Sequence, residues 1–351
     1  VRYVHTKAIK RLELFRVRNA APDQQRKFLL PISFGVSSVA LLGILDHHLK
    51  RQKTNTGRTG FSLIVFFVDC SSVEKSPANN DLLARAKDLL PDHDYVSASL
   101  PEVFRLIPTD DPLHGLLPSV KVEEDVGSSE RLTVLMNALT SATARADVVP
   151  ILRTRLVVEQ AKSLGCEGIL WGHSTTKLAE LTLAETAKGR GYSLPWQTAD
   201  GESPSGMPFY YPLRDLLKKE LIAYVNISGP SLSPLVHEPS TGATQASISS
   251  KNTTIDDLMK QYFESVEENF PSIVANVVRT TGKLEATSSS SSSPRCSLCH
   301  MPVTDGRFGI HGWGGDQQDG LIGSAGDHLQ GLCYGCTRSV PGLVTNTSSN
   351  T

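Results

Sequence analysis

The sequence predicts an α/β fold, a mostly parallel sheet covered by helices on both faces, with a small metal-binding ribbon near its C-terminal end. Three observations predict it. Short apolar runs alternate with helix-spaced apolar residues, a Ser/Gly turn follows the first run, and two Cys-x-x-Cys pairs stand far downstream.

The first strand is expected over 27–32, despite Pro31, and runs into Ser33-Phe34-Gly35-Val36-Ser37-Ser38. Val39, Leu41, Leu42, Ile44 and Leu45 then give helical spacing, with Ser37 or Ser38 as cap. Phe61 to Val68 reads as a buried strand, Leu82 to Leu90 as a helix and Tyr95 to Leu100 as a third strand. A Pro-, Asp- and Gly-rich connector is expected over 101–129, then helices over 131–145 and 150–164. Gly168 to Trp171 reads as a strand ending in Gly172-His173, Ala179 to Ala187 as a helix, Phe209 to Tyr211 as a strand, and Asp215 to Tyr224 as a helix. Ligands of such sheets bind beyond the carboxyl ends of the strands, which would gather Ser33 to Ser38, Asp69 and Gly172-His173. Downstream come a Ser/Thr/Pro-rich loop over 231–252, a helical pair over 255–270 and 271–278, and a serine run read as a flexible tether. The boundaries follow: a basic N-terminal arm (1–26), the α/β domain (27–229), a helical extension (230–286), a linker (287–295) and the ribbon (296–340).

The 351 residues carry a net charge of −1, so overall balance gives no nucleic-acid signature. Distribution is more telling. Arg2, Lys7, Lys10, Arg11, Arg16, Arg18, Arg26 and Lys27 face only Glu13 and Asp23 in the first 27 residues, which points to a polyanion or, equally, to a solvated helix face. The run Leu63 to Val68 is too short to cross a bilayer, and a cytoplasmic location with no membrane partner is expected.

Cys296-Ser297-Leu298-Cys299 and Cys333-Tyr334-Gly335-Cys336 have the spacing of two metal knuckles. Two residues between paired thiolates let both sulfurs reach one ion. Two such turns close a four-sulfur shell with no open position, so the expected role is structural. Zinc is preferred, iron stays open, and His300 is an alternative ligand. Cys70 and Cys166 read as small apolar core residues, and His47-His48 as surface or partly buried ones.

A strand, a Ser/Gly turn and a helix is a device for holding phosphate. Here Ser33, Gly35 and Ser38 match the Ser-Gly-Gly-x-Asp-Ser pattern of the PP-loop ATP pyrophosphatases, whereas Phe34 and Ser37 replace a glycine and the aspartate. Leu164 to His173 with Glu180, and Tyr211-Pro212-Leu213-Arg214-Asp215 with Lys219-Glu220, resemble that family's later signatures. The order resembles the tRNA thiolation enzymes of the PP-loop class. Together with Arg2 to Lys7 and the terminal knuckles, it resembles the non-catalytic partner subunits of the eukaryotic wobble-uridine thiolation complex.

The resemblance implies an adenine nucleotide alpha hydrolase-like, Rossmann-like domain. It implies a catalytic paralogue as heterodimer partner, tRNA as a ligand, and a ubiquitin-related modifier as the pathway's sulfur donor. It leaves ATP binding by this chain open. Phe34 puts a ring where phosphate must approach backbone and removes a glycine's freedom. The family's Cys-x-x-Cys is replaced by Asp147-Val148-Val149-Pro150, and its later cysteine is missing after Leu213. The expectation is a pseudoenzyme, with an active ATP-dependent tRNA sulfurtransferase as the alternative. The tRNA contacts expected are Lys7, Lys10, Arg11, Arg16 and Arg18 from the arm, and, by resemblance, Arg153 and Arg155.

Overall fold

Phe28, Leu29 and Leu30 are consecutive apolar residues, as suits a strand covered on both faces, and in the computed structural model all three are fully buried. Described are residues 1–12, 15, 25–74, 80–117, 127–139, 141–228, 232–237, 253–286, 294–303 and 331–340. Strands β1 (Arg26–Ile32), β2 (Phe61–Asp69), β3 (Asp94–Ser99), β4 (Gly168–Leu170), β5 (Gly201–Glu202) and β6 (Pro208–Tyr210) join in the order β3-β2-β1-β4-β6-β5. Every neighbouring pair is parallel except β5 with β6. Pro31 is tolerated because β1 pairs with β4 only through Phe28 and Leu29, before the proline is reached. The chain leaves β3 at one edge and returns on the far side of β1 with β4. The sheet therefore changes direction between β1 and β4, and the loops after these two strands open a crevice there.

One face is covered by α1 (Arg2–Arg11), α2 (Val36–Thr56), α3 (Asn80–Leu89) and α9 (Lys218–Ile227). The other carries α4 (Val103–Leu106), α5 (Ser128–Ala138), α6 (Ala142–Ser163), α7 (Thr175–Ala187), α10 (Ile255–Asn269), α11 (Pro271–Thr281) and α12 (Tyr334–Ser339), with the short α8 (Leu194–Thr198) beside α7 and α11.

Several elements depart from the sequence reading. The arm is a docked helix, with Val4, Ala8 and Leu12 buried one turn apart, and Phe15 beyond them lies 4.5 Å from the Phe28 ring. The connector after β3 is packed core through Leu117: Leu100, Val103, Phe104 and Ile107 are buried at helical spacing. Helix α6 starts earlier than expected and contains Pro150, because Ser141 caps it by accepting from the Ala144 amide at 3.0 Å. Asp215 lies outside α9. The serine run 287–293 lies outside the described residues.

Candidate metal centre and the crevice beside β1

Phe34 holds φ 59, the left-handed region that a glycine would enter without penalty and that costs a residue with a Cβ about 1–2 kcal/mol. The loop thus makes a turn that a glycine would make without strain. The ring does not stand in the crevice, contrary to expectation. It is fully buried, 5.5 Å from the Phe67 ring, and its burial offsets the backbone penalty. The Phe34 carbonyl accepts from the His237 amide at 2.8 Å, and Leu232 of the same segment packs against Gly43 of α2.

The loop's hydroxyls are spent on the loop itself. Ser33 Oγ accepts from the Gly35 amide at 3.4 Å and lies 3.3 Å from Ser38 Oγ, which donates to the Gly35 carbonyl at 3.0 Å. Gly35 caps α2 without any side-chain acceptor, and Ser37 is half-buried on the first turn. Across the crevice, Gly172 comes so close that a Cβ there would meet Ser38 Cα at 2.9 Å. His173 stacks on Tyr211 at 5.6 Å, and burial, then Lys177 and Arg153, push its pKa down to about 3, so it is neutral near pH 7. Arg153, exposed on α6, reaches Cys70, but burial dominates and pushes that thiol up to about 11. Burial also pushes Cys166 up to about 11. Cys70 follows the carboxyl end of β2 and Cys166 precedes the amino end of β4, so these two thiols lie at opposite ends of a parallel sheet.

The remaining four cysteines converge. The Sγ atoms of Cys296, Cys299, Cys333 and Cys336 all lie within 4.8 Å of one another, and Cys299 and Cys333 are 3.8 Å apart. Sulfurs at about 2.3 Å from one tetrahedral ion stand about 3.8 Å apart, so the quartet fits a single ion. An iron–sulfur cube would spread its thiolates wider. Hydrogen bonds from its three neighbours pull the Cys296 thiol down, while the bond to Cys296 pushes Cys299 and Cys336 well up. All four can be thiolates together only around a cation. The buried Tyr192 hydroxyl has no oxygen or nitrogen partner and faces Cys299 and Cys333, as a donor to metal-held thiolates would. His300 is not in the quartet. It holds φ 59 after the first knuckle, and its amide donates to the Cys296 carbonyl at 2.8 Å to close the turn.

The knuckles are not a tethered appendage. Cys296, Leu298, Cys336 and Val340 have no exposed surface and belong to the same core as α6 and α7. Arg155 fastens the first knuckle: it donates to the carbonyls of Ser297 (3.0 Å) and Leu298 (3.3 Å) and pairs with buried Asp111. At 7% exposure and with these partners it is unavailable to phosphate, which corrects the tRNA contact expected of it. The second knuckle sits on a buried charge network. Asp147 of α6 accepts from Arg190 through both oxygens (2.6 and 2.8 Å), from Lys188 at 2.9 Å and from the Ser339 hydroxyl of α12. Glu185 holds Arg190 from the other side at 2.6 Å. These cations hold the Asp147 carboxyl well below its ordinary range against the opposing effect of burial.

The arm residues divide. Lys7 donates to the Asp215 carbonyl at 3.2 Å, and Arg11 pairs with Asp215 (2.7 Å) and Asp200 (3.4 Å). Lys10 is exposed, and Arg16 and Arg18 lie outside the described residues.

The chain is 63% identical over 349 residues to cytoplasmic tRNA 2-thiolation protein 2 of Phaeosphaeria nodorum, covering 99% of this chain and 90% of that one. It is 57% identical over 349 residues to the protein of the same name from Pyrenophora tritici-repentis, again covering 99% and 90%. The chain belongs to the cytoplasmic tRNA 2-thiolation protein 2 family. The model of that family matches residues 254–309, which is α10, α11 and the first knuckle. A solved structure of the U34-tRNA thiolase NcsA from Methanococcus maripaludis, with its 4Fe–4S cluster, superposes with a TM-score of 0.53 at 14% identity, covering 85% of this chain and 86% of that one. That likeness shows the fold alone.

Sequence reasoning missed Asp111, Asp147, Lys188, Arg190 and Tyr192. Asp147 stands out in the sequence only as a departure from a cysteine motif, and the other four stand in none and carry no periodic signal.

Proposed function

We propose that this chain is the non-catalytic subunit of a cytoplasmic tRNA 2-thiolation complex. In this reading it binds the catalytic paralogue and tRNA, while that paralogue performs the ATP-dependent 2-thiolation of the wobble uridine with sulfur from a ubiquitin-related modifier. The names of its relatives support tRNA 2-thiolation and a cytoplasmic setting; no helix among the described residues is long and apolar enough to cross a membrane.

One observation carries the non-catalytic part. Of six cysteines, four close a shell that leaves no coordination position open, and the other two are protonated and held at opposite ends of the sheet. A protein group that carries sulfur to an activated carbonyl is a thiolate or a thiolate-held cluster, and the described cysteines of this chain offer neither in the crevice. Zinc is the ion we assign to the quartet. It would be held by Cys296, Cys299, Cys333 and Cys336, and would supply folding energy rather than a Lewis-acid site.

The second reading, an active PP-loop sulfurtransferase, draws on the retained left-handed turn at Phe34 and the uncapped start of α2. One experiment separates them. The paralogue is purified with and without this chain, and 2-thiouridine formation and pyrophosphate release are followed. The proposal expects co-purification, thiolation that needs both chains, and no tRNA-stimulated pyrophosphate release by this chain alone. Turnover by the isolated chain establishes the second reading instead.

A further inference from the structure

We propose that the outward face of α1, with the neighbouring exposed face of α2, is a landing strip for the sugar-phosphate backbone of RNA. This rests on the tRNA-binding reading above and specifies its surface.

Helix α1 has two basic faces with opposite fates. Tyr3, Lys7 and Arg11 lie one turn apart, and the two cations are bound to Asp215 and Asp200 of this same chain. Arg2, Thr6 and Lys10 form the parallel row, all three exposed. Among the described residues no carboxylate pairs with Arg2 or Lys10. From Arg2 to Lys10 is about 12 Å along the helix. A duplex strand carries a phosphate per roughly 3.4 Å of axis, so the row spans several.

The row continues onto α2. His5 bridges the helices, its ring 4.8 Å from His47 and its Nε2 3.1 Å from the Tyr224 hydroxyl. His47 and Arg51 lie one turn apart on α2, both exposed. Burial above all lowers His5 to about 4, so it is neutral near pH 7 and adds no further repulsion. In a chain of net charge −1, a surface that gathers Arg2, Lys10 and Arg51 without carboxylate partners among the described residues is one that a polyanion relieves.

The fold argues for RNA over a lipid surface. An interfacial helix needs its apolar face free, and Val4, Ala8 and Leu12 are spent on the protein core. An exposed aromatic, Tyr3, stands at the edge of the row, where a base could stack.

The test uses the full complex with the catalytic paralogue and an unmodified tRNA transcript, followed by fluorescence anisotropy between about 50 and 200 mM salt. The variants are R2E/K10E/R51E, the milder R2Q/K10Q/R51Q, and K87E/R279E/K283E as a control of equal charge change elsewhere on the surface. The proposal expects at least a tenfold loss for the first, a smaller loss for the second, and a salt slope reduced by about 2 in the first. The control should stay within about twofold, and all melting curves should match the native one. Native affinity and slope in R2E/K10E/R51E, while the native complex binds tRNA, overturns the strip and leaves the tRNA-binding reading standing. No tRNA binding by the native complex overturns both. Loss of the paralogue from that variant with unchanged tRNA affinity makes the surface a protein-docking one and overturns the proposal.

Discussion

The crevice beside β1 and the cysteine quartet have been treated in opposite ways. The crevice is shaped by backbone: Phe34 makes a left-handed turn, Gly172 approaches Ser38, and the helix start has no side-chain cap. Beside it Cys70 is buried and His173 is stacked on Tyr211. The quartet keeps every ligand and is welded into the core by Arg155 and by the Asp147 network. Packing alone sustains a backbone shape of this kind. A metal shell cannot lose a ligand without losing its folding energy. The difference separates a turn held by side-chain packing from a thiol cluster that suits a metal ion.

The largest effect should come from the quartet. One equivalent of zinc per chain is expected by elemental analysis, and Cys336→Ser should abolish it and prevent cooperative unfolding of the α6 side. Apparent binding energies of such sites reach about 10–16 kcal/mol, well above a domain's usual margin. Full metal loss with an unchanged melting temperature would break the comparison.

Next is the latch under α12. Asp147→Ala leaves Arg190 to Glu185, and Lys188 to Glu185 and Asp256, but strips three buried donors of an acceptor and should cost about 3 kcal/mol in urea unfolding. The sign of its pH dependence follows from a depressed folded pKa. The Asp147 contribution is fully present above pH of about 4, the unfolded value, and is lost as pH falls below it toward the folded one. The Asp147→Ala difference should therefore shrink only in acid.

Phe34→Gly sharpens the other side. Removing a buried ring costs about 3–5 kcal/mol, and releasing the left-handed strain returns about 1–2. The net expectation is a loss of about 2 kcal/mol by chemical denaturation. A gain in stability would mean that the ring is not a core residue.

The smallest change should follow Arg11→Ala. Its pairs with Asp200 and Asp215 are partly solvated, so a melting shift worth about 0.5–1 kcal/mol is expected, measured by calorimetry.

What the sequence disclosed follows from how locally each feature is encoded. The alternation of apolar runs disclosed the parallel sheet, and the two knuckles disclosed a four-cysteine cluster that could hold a metal ion. Docking was not legible. The spacing of Val4, Ala8 and Leu12 was a helical signal hidden among basic residues, and Leu100, Val103, Phe104 and Ile107 carried the same signal inside a Pro- and Asp-rich stretch. Arg155 belongs to a different class. Its partners Asp111, Ser297 and Leu298 lie far away in sequence, so only the folded chain shows that it holds a knuckle rather than RNA. Phe34 failed for a third reason: a substitution for glycine was read as steric blockage, but the direction of a ring is settled by the cavity available to it.

The central claim, that no cysteine of this chain handles sulfur, is tested most directly by Cys70→Ala with Cys166→Ala in the complex with the catalytic paralogue. Mass spectrometry of the tRNA should show 2-thiouridine formed at the native rate. A folded, zinc-loaded complex that no longer thiolates would contradict the account.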